Sequence, residues 1–278
     1  MSPLTNQYHI PDIPREYGLL GRSLPHSKSP EIFKEIFKQA NLKKATYSLF
    51  ELQDISELPQ FLATHPDLKG FNVTNPYKRA IIPYLNSISD SAGEIGAVNV
   101  VSVMKDPVSG DTLLSGHNTD WWGFHESIVD WIQDYMEFAV ICGTGGAARA
   151  VAYSFLQKDI EPILLSRDKN RIPGKDRKML GKHLTIIDYS EAEPYIEDAH
   201  IIVNATPLGT FPDTDSCPPL PWHSLDSNNF CYDLVYNPPV TAFMKKALGI
   251  GAAAKNGLQM LRNQADYAWM IWRGMPIG

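Results

Sequence analysis

The chain has 278 residues, of which 44% are hydrophobic and 20% charged, a composition typical of a globular protein with a sizeable core. This length suits one large domain or two smaller ones. The formal net charge of −6 argues against a nucleic-acid partner, because there is no basic surplus to neutralise phosphates.

The cellular compartment can be predicted from the cysteine spacing, the N-terminal residues and the length of the apolar runs. Cys142, Cys217 and Cys231 form no C-x-x-C pair and suit a reducing compartment. Residues 1–14 contain no apolar signal core, and the chain has no apolar run of about 18 residues, so no membrane span is predicted. We expect a soluble, cytoplasmic protein. No cysteine or histidine spacing indicates a metal site.

The first apolar stretch, residues 17–21, predicts a short buried strand followed by a polar turn. The next helix is predicted to have Ser29 as its N-cap and Pro30 as its first residue. Capping alone explains Ser29. Ser27 and Ser29 nevertheless follow the carboxyl end of a strand, where open α/β sheets bind ligands, and two hydroxyls beside a helix start would suit a carboxylate.

Residues 70–73 predict another strand, after which Thr74 or Asn75 caps a helix that starts at Pro76. Lys78 then falls in the first helical turn, where the helix dipole disfavours a cation. A solvated surface charge is the ordinary interpretation of a lysine. Its position after a strand, against the dipole, weakens that interpretation.

Residues 95–103 and 112–116 predict two strands joined by a hairpin-like turn at 105–111. The second strand leads to Asp120, which can cap a helix that begins near Trp121. A simple cap is the usual role of an isolated aspartate in such a place.

A glycine-rich segment, Cys142-Gly143-Thr144-Gly145-Gly146-Ala147-Ala148-Arg149, follows the apolar run 138–141 and opens into the helical run 150–156. Strand, glycine turn and helix in this order are how a Rossmann unit binds a pyrophosphate. The spacing is Gly-x-Gly-Gly-x-Ala rather than the commoner Gly-x-Gly-x-x-Gly. A tight turn without a ligand is therefore the alternative that this segment alone leaves open.

Residues 161–165 predict the second Rossmann strand. Its end, roughly 20 residues after the glycine loop, is where NAD-binding folds place an acidic residue and NADP-binding folds an arginine. Arg167 and Arg171 could bind a 2′-phosphate, whereas Asp168 would repel it. We expect NADP, with NAD as the alternative.

Further strands are predicted at 184–188, 199–205 and 230–236. A last helix at 258–273 has an apolar stripe.

Several short motifs then occur in a fixed order along the chain. They are Ser27-Lys28-Ser29-Pro30, Asn72-Val73-Thr74-x-Pro76-x-Lys78, Ala97-Val98-Asn99, Asn118-Thr119-Asp120, the glycine segment through Arg149, Asn204-Ala205-Thr206-Pro207-Leu208-Gly209, Asp233-Leu234-Val235-Tyr236-Asn237-Pro238, and Gly257-Leu258-x-Met260-Leu261-x-x-Gln264-Ala265. This ordered set, from about Tyr17 to Gly274, resembles the shikimate dehydrogenase family. No single motif is decisive, but the order is highly specific.

The resemblance implies an α/β protein of two domains, an N-terminal α/β substrate domain and a Rossmann-type nucleotide-binding domain. Residues 1–121 and 256–278 would form the substrate domain, to which the C-terminal helix returns, and residues 122–255 the nucleotide domain. It implies reversible NADPH-dependent reduction of 3-dehydroshikimate to shikimate, a step of aromatic amino-acid biosynthesis. We expect a small-molecule substrate, no nucleic-acid or membrane partner, and a monomer or homodimer.

The resemblance also assigns site residues. Lys78 and Asp120 would be the catalytic pair. Substrate would contact Ser27 and Ser29 through its carboxylate, and Thr74, Asn99, Thr119, Tyr236 and Gln264 elsewhere. The cofactor would be held by Gly143, Thr144, Gly145, Gly146, Ala147, Ser166, Arg167, Asp168, Arg171, Asn204, Ala205, Thr206 and Gly257.

Some positions depart from the family pattern. NADP-type members commonly show Asn-Arg-Thr-x-x-Arg or Lys where this chain has Ser166-Arg167-Asp168-x-x-Arg171. Trp121 and Trp122 follow Asp120 where a small residue is common, so Trp121 could reshape the substrate pocket. The alternatives are an NAD-dependent quinate/shikimate dehydrogenase, favoured by Asp168, and a non-catalytic paralogue that senses a shikimate-like ligand. Retention of both Lys78 and Asp120 argues against the paralogue.

Overall fold

The computed structural model describes residues 12–25 and 27–275. Most of the predicted polar leader and His26 of the first turn lie outside this range. The chain divides into two units. The first takes residues up to Gly93, Ala97–Thr119 and residues from Ala265 onward, and the second takes Glu94–Gly96 and Asp120–Gln264. The domain bounds expected from the family resemblance stay a prediction.

The first unit is built on a mixed six-stranded sheet. Its elements are β1 (Arg15–Gly21), α1 (Ser29–Gln39), β2 (Ala45–Glu51), α2 (Leu58–Thr64), β3 (Leu68–Val73), α3 (Tyr77–Ala80), β4 (Ser87–Ile88), α4 (Asp90–Ile95), β5 (Val100–Lys105) and β6 (Thr112–His117). The strand order is β2-β1-β3-β5-β6-β4. β1 runs parallel to β2 and β3, and β5 runs antiparallel to β3 and β6. The parallel strands therefore end at one edge of the sheet, where β1 leads into residues 22–25 and β3 into residues 74–78.

The second unit is built on a six-stranded parallel sheet. Its elements are α5 (Asp120–Ile128), β7 (Phe138–Cys142), α6 (Gly146–Leu156), β8 (Glu161–Ser166), β9 (Lys178–Met179), β10 (Lys182–His183), β11 (Thr185–Asp188), α7 (Glu193–Asp198), β12 (Ile201–Asn204), β13 (Phe230–Asp233), α8 (Ala242–Gly249), β14 (Ala253–Asn256) and the start of α9 (Leu258–Trp272). The order is β11-β8-β7-β12-β13-β14, and every pair is parallel. Counted from β7 this is 3-2-1-4-5-6, the order of a dinucleotide-binding Rossmann sheet. The predicted two-part α/β fold is confirmed.

The inner strands of the second unit, β7, β8, β12 and β13, are buried along nearly their whole length, as their near-continuous apolar sequences require. Val140, Cys142, Leu165, Ile202 and Cys231 belong to one core cluster with α7 and α8 residues. The expectation that Cys142 and Cys231 pack in the sheet is confirmed.

The first unit has an aromatic core between α1, β1 and the end of α9. The ring of Tyr17 stacks on Trp272 with centroids 4.8 Å apart, and Phe33 stacks on Tyr47 at 4.2 Å. Trp272 also donates a hydrogen bond from Nε1 to the Val101 carbonyl at 3.0 Å. Trp269 of α9 also packs against Tyr17, so two aromatic residues three positions apart share the face of α9 that meets this core. No helix among residues 12–25 and 27–275 is both long and apolar enough to cross a bilayer.

Three local predictions are wrong for identifiable reasons. Ser29 is the first residue of α1 and Lys28 is its N-cap, while Ser27 Oγ accepts the Ser29 backbone N–H at 3.2 Å. α3 begins at Tyr77, and neither Thr74 nor Asn75 caps it. The strand predicted to start at residue 95 starts at Val100, because residues up to Ile95 form the end of α4.

A substitution at Gly70 should test the aromatic core. A Cβ at Gly70 would lie 2.2 Å from Trp272 Nε1, so Gly70→Ala must displace the indole and its hydrogen bond. We expect it to lower the free energy of unfolding by about 1–3 kcal/mol, measured by chemical denaturation. Gly174→Ala is the control, because a Cβ there has no heavy atom within 4 Å. Equal stability of the two variants would contradict the assignment.

Candidate functional site

The glycine segment forms a tight turn between β7 and α6. Gly143 has a φ of +110°, which favours glycine, and its added Cβ would lie 3.3 Å from Thr206 Cγ2. Gly145 is the N-cap of α6, and an added Cβ there has no heavy atom within 4 Å. The turn is thus closed on the Thr206 side and open at Gly145. Thr144, Gly146 and Ala147 complete its backbone.

This geometry fits a dinucleotide pyrophosphate. α6 has eleven residues, so its first turn presents unpaired N–H groups and the positive end of a helix dipole. The turn sits at the carboxyl end of β7, next to β12, where the strand order of the sheet reverses. Ligands of open α/β sheets bind at that switch point. The absent side chain at Gly145 leaves room for a phosphate to approach the backbone.

Asn204 holds the loop that follows β12. Its Oδ1 accepts the Thr206 backbone N–H at 3.0 Å and the Thr206 hydroxyl at 2.6 Å. The backbone N–H of Ala205 donates to the Cys142 carbonyl at 3.0 Å, which ties the loop to the glycine turn. The predicted cofactor residues Asn204, Ala205 and Thr206 therefore lie beside Gly143.

Sequence reasoning missed the role of Asp233, the fully buried carboxylate at the end of β13. It accepts hydrogen bonds from Asn204 Nδ2 at 2.9 Å, the Val235 N–H at 3.0 Å and the Thr241 hydroxyl at 2.6 Å. Burial raises the pKa of Asp233 to about 6, although those three donors act in the opposite direction. A carboxylate inside the motif Asp233-Leu234-Val235 was the available signal, since buried acids require hydrogen-bond donors.

The residues after β13 form the last part of this region. Gly257 lies against the backbone of Leu234, because a Cβ there would be 2.1 Å from the Leu234 carbonyl oxygen. Tyr236 is half-buried, and burial raises the pKa of its hydroxyl. Gly257 therefore permits a close approach between the β13 loop and the start of α9.

The loop after β8 shows how the departure at Asp168 is accommodated. Asp168 Oδ1 accepts the Asn170 N–H at 3.0 Å, and Oδ2 lies 3.0 Å from Arg171 Nε. Ser166 Oγ accepts the Asp168 N–H at 3.1 Å. Arg171 has an 86% exposed side chain, and Arg167 is exposed. Asp168 is thus paired with one of the two predicted phosphate-binding arginines.

In the first unit, five polar residues form a connected set. Tyr47 donates to Asn72 Oδ1 at 2.8 Å and has Ser29 as a second hydrogen-bond partner. Asn72 Nδ2 donates to the Asn99 carbonyl at 3.3 Å. Asn99 Oδ1 accepts the Thr119 N–H at 2.7 Å, and its Nδ2 donates to Thr119 Oγ1 at 3.1 Å. These bonds fix the orientation of the Asn99 amide.

The structure brings three predicted substrate residues, Ser29, Asn99 and Thr119, into this set through Tyr47 and Asn72. Tyr47 lies in none of the sequence motifs, and Asn72 begins one of them without an assigned role. Tyr47 lies in the partly exposed strand β2 and Asn72 in the mostly buried strand β3. A polar side chain in a mostly buried strand was therefore the feature of the sequence that could have indicated this set. Ser27, Thr74 and Lys78 are half-buried and lie at the same strand ends. The Lys78 carbonyl accepts the Val98 N–H at 2.7 Å.

The remaining predicted residues, Asp120 and Gln264, belong to the second unit. Asp120 begins α5 and is 6% exposed. Gln264 on α9 is buried, and its Nε2 donates to the Leu261 carbonyl at 3.0 Å. The two helices approach closely at Gly123, where a Cβ would lie 2.9 Å from the Gln264 backbone nitrogen. Only glycine at 123 permits this separation.

The ring of Trp121 packs against α6. It lies edge-on to Tyr153 of α6 with centroids 5.2 Å apart, and 6.5 Å from the ring of His125. These contacts orient α5 on α6 within the second unit. The expectation that Trp121 alters the substrate pocket stays a prediction. Within the described part of the chain, no cluster of three or more His, Cys, Asp and Glu residues could hold a metal ion.

The buried carboxylate makes a pH-dependent prediction. The pKa of Asp233 is about 6 in the fold against 3.8 for the ordinary group, so its contribution to stability is greatest below pH 3.8 and is lost as the pH rises through 6. We expect the unfolding free energy of the wild type, relative to Asp233→Asn, to fall by about 3 kcal/mol across that window.

Chemical denaturation at several pH values, followed by tryptophan fluorescence, would measure this difference. Asp106→Asn is the control, because backbone hydrogen bonds lower the pKa of exposed Asp106, so its difference from the wild type should change in the opposite direction. A pH-independent difference for Asp233→Asn would contradict the prediction.

Known proteins are similar to this chain in sequence and in architecture. A family model for the shikimate dehydrogenase substrate binding domain matches residues 19–101. The shikimate dehydrogenase (NADP(+)) of Carboxydothermus hydrogenoformans is 35% identical over 263 residues, covering 93% of this chain and 91% of that protein. Shikimate 5-dehydrogenase from Thermus thermophilus, solved in complex with NADP(H) and shikimate, has a TM-score of 0.78 and 29% identity over 95% of each chain.

A quinate dehydrogenase from Corynebacterium glutamicum, solved in complex with NAD, has a TM-score of 0.81 and 26% identity over 94% of each chain. The similarity to these enzymes extends through both units. With 35% identity across 93% of its length to such a relative, the chain belongs to the shikimate dehydrogenase family.

Proposed function

We propose that this protein catalyses the reversible, NADP-dependent interconversion of 3-dehydroshikimate and shikimate. The observation that carries the proposal is the glycine turn between β7 and α6, which lies at the switch point of a 3-2-1-4-5-6 sheet. A relative of the chain is named shikimate dehydrogenase (NADP(+)). The proposal places the enzyme in the cytoplasm, as a monomer or homodimer with a small-molecule substrate.

In the proposed mechanism the glycine turn before α6 would hold NADPH, which would supply a hydride to the ketone carbon of the substrate. Negative charge develops on the carbonyl oxygen as the bond forms, and a donor aimed at that oxygen stabilises the transition state more than the ground state. Lys78 is that donor. Asp120 is proposed as the second member of the catalytic pair.

The other residues hold the substrate. Ser27 and Ser29 bind its carboxylate, and Thr74, Asn99 and Gln264 bind ring hydroxyls beside Thr119 and Tyr236. Two hydrogen bonds between Asn99 and Thr119 support this assignment: Asn99 Oδ1 accepts the Thr119 N–H, and Asn99 Nδ2 donates to Thr119 Oγ1. They give the Asn99 amide a defined orientation before substrate arrives.

A second candidate is an NAD-dependent quinate/shikimate dehydrogenase. The observation that favours it is the contact of Asp168 with Arg171, since an arginine held by a carboxylate is less available to a 2′-phosphate. The 26% identical quinate dehydrogenase in complex with NAD shows that the fold accommodates that chemistry in a relative.

A steady-state assay with shikimate or quinate and NADP+ or NAD+, read by absorbance of the reduced nicotinamide, separates these functions. We expect the highest kcat/KM with shikimate and NADP+. Lys78→Ala should lower kcat at least about a hundredfold, because it removes the proton donor. Lys34→Ala, an exposed lysine on α1, should leave kcat unchanged. Absence of turnover with all four combinations would indicate the ligand-sensing paralogue.

Arg167 should determine the cofactor preference. We expect Arg167→Ala to weaken NADP+ binding about tenfold or more while leaving NAD+ binding nearly unchanged, since a charge-assisted hydrogen bond contributes about 1.5–3 kcal/mol. Arg171→Ala is the matched control and should have a smaller effect, because Asp168 already holds Arg171. Calorimetric titration of both cofactors measures this. An equal loss for NADP+ and NAD+ would assign the 2′-phosphate to other residues.

A further inference from the structure

Arg149, the fourth residue of α6, is buried with 4% exposure, and its guanidinium group contacts backbone carbonyls. Its Nε donates to the Ile95 carbonyl at 2.5 Å, Nη1 to the Asp176 carbonyl at 2.6 Å and Nη2 to the Glu94 carbonyl at 2.9 Å. An arginine in a phosphate-binding segment suggests a ligand contact. Here three backbone carbonyls occupy the planar guanidinium fork, which offsets its desolvation.

The carbonyls of Glu94 and Ile95 belong to a segment with an unusual place in the chain. Glu94–Gly96 lies in the second unit, although the residues on both sides of it lie in the first. Glu94 Oε2 also accepts the Leu180 N–H at 2.7 Å. Gly96 has a φ of +69°, and a Cβ there would lie 3.9 Å from both Arg149 Nε and Nη2. Arg149 therefore holds the last turn of α4 and the reversal that follows it.

The three residues after this segment belong to the first unit, and the second of them contacts Lys78. The Ala97 carbonyl accepts Asn118 Nδ2 at 2.9 Å, and the Val98 N–H donates to the Lys78 carbonyl at 2.7 Å. The next residue is Asn99. The 94–96 segment is therefore joined to Lys78 by two peptide bonds and one hydrogen bond, and to Asn99 by three peptide bonds.

We propose that Arg149 is a positioning residue that links cofactor binding on α6 to substrate binding at Lys78 and Asn99. The inference rests on the proposed function. A pyrophosphate at the start of α6 restrains that helix and hence Arg149, so the 94–96 segment loses mobility when the cofactor binds. The substrate then has less ordering to impose at Asn99, and each ligand increases the affinity for the other by the same factor.

Calorimetric titration of NADP+ with and without saturating shikimate measures this factor as a ratio of Kd values. We expect a ratio of at least about 5 for the wild type. Arg149→Met should bring the ratio within about twofold of unity, while Kd for NADP+ alone changes little, since Arg149 has no phosphate contact in this proposal. Arg149→Lys keeps the charge but not the fork and should give an intermediate ratio.

Lys255→Met is the matched control. Lys255 is a cation of the same unit that donates to the Ser127 carbonyl at 3.0 Å and contacts Asp130, so its loss should leave the ratio at the wild-type value. If Arg149 had a purely structural role, Arg149→Met and Arg149→Lys would both lower the stability of the protein without changing the ratio of Kd values. An unchanged ratio in Arg149→Met, or a wild-type ratio of unity, would overturn the proposal. If Arg149→Met does not fold, the Arg149→Lys ratio decides in its place.

Hydrogen exchange separates failure of this inference from failure of the proposed function. In the ligand-free protein, backbone amides of residues 94–99 should exchange faster in Arg149→Lys than in the wild type, whichever substrate the enzyme uses. Unchanged exchange there would overturn the tether even in an active enzyme. Faster exchange in a protein without dehydrogenase activity would support the tether and reject the proposed function alone.

Discussion

The hydrogen bond between Asn204 Nδ2 and Asp233 Oδ1 joins the carboxyl ends of two adjacent parallel strands, β12 and β13. Each partner uses its other polar positions to hold the loop that leaves its own strand. Asn204 accepts from Thr206, and Asp233 accepts from Val235 and Thr241. The loops on one side of the switch point therefore depend on a single buried pair.

Burying such a pair costs desolvation free energy, and the buried pair then permits few arrangements of the backbone around it. Removing a carboxylate from water disfavours its charged form, and the raised pKa of Asp233 records that cost. Buried polar groups in turn admit few arrangements, because every donor and acceptor must be satisfied. The backbone on either side of this pair is thereby held by hydrogen bonds, including Ala205, which lies beside the glycine turn.

The first unit uses the same device with uncharged groups. Asn72 and Asn99 lie at the ends of neighbouring strands and connect Tyr47 to Thr119. Amide side chains suit this position because each both donates and accepts, so one residue can join two loops. The proposed substrate residues Asn99 and Thr119 are thus members of the same hydrogen-bonded set that joins the strand ends.

The amino-acid sequence alone determined the strand, glycine turn and helix over 138–156, the two-part α/β architecture and the family, because these depend on local periodicity and on the order of short motifs. Tertiary structure decided where α4 ends, which residue caps α1, and what Arg149 and Asp233 contact. Arg149 bonds to carbonyls 54 and 55 residues away in the chain, and Asn204 to a carboxylate 29 residues away. Partners at that separation are selected by how the sheets and helices pack, which no local pattern of residues encodes.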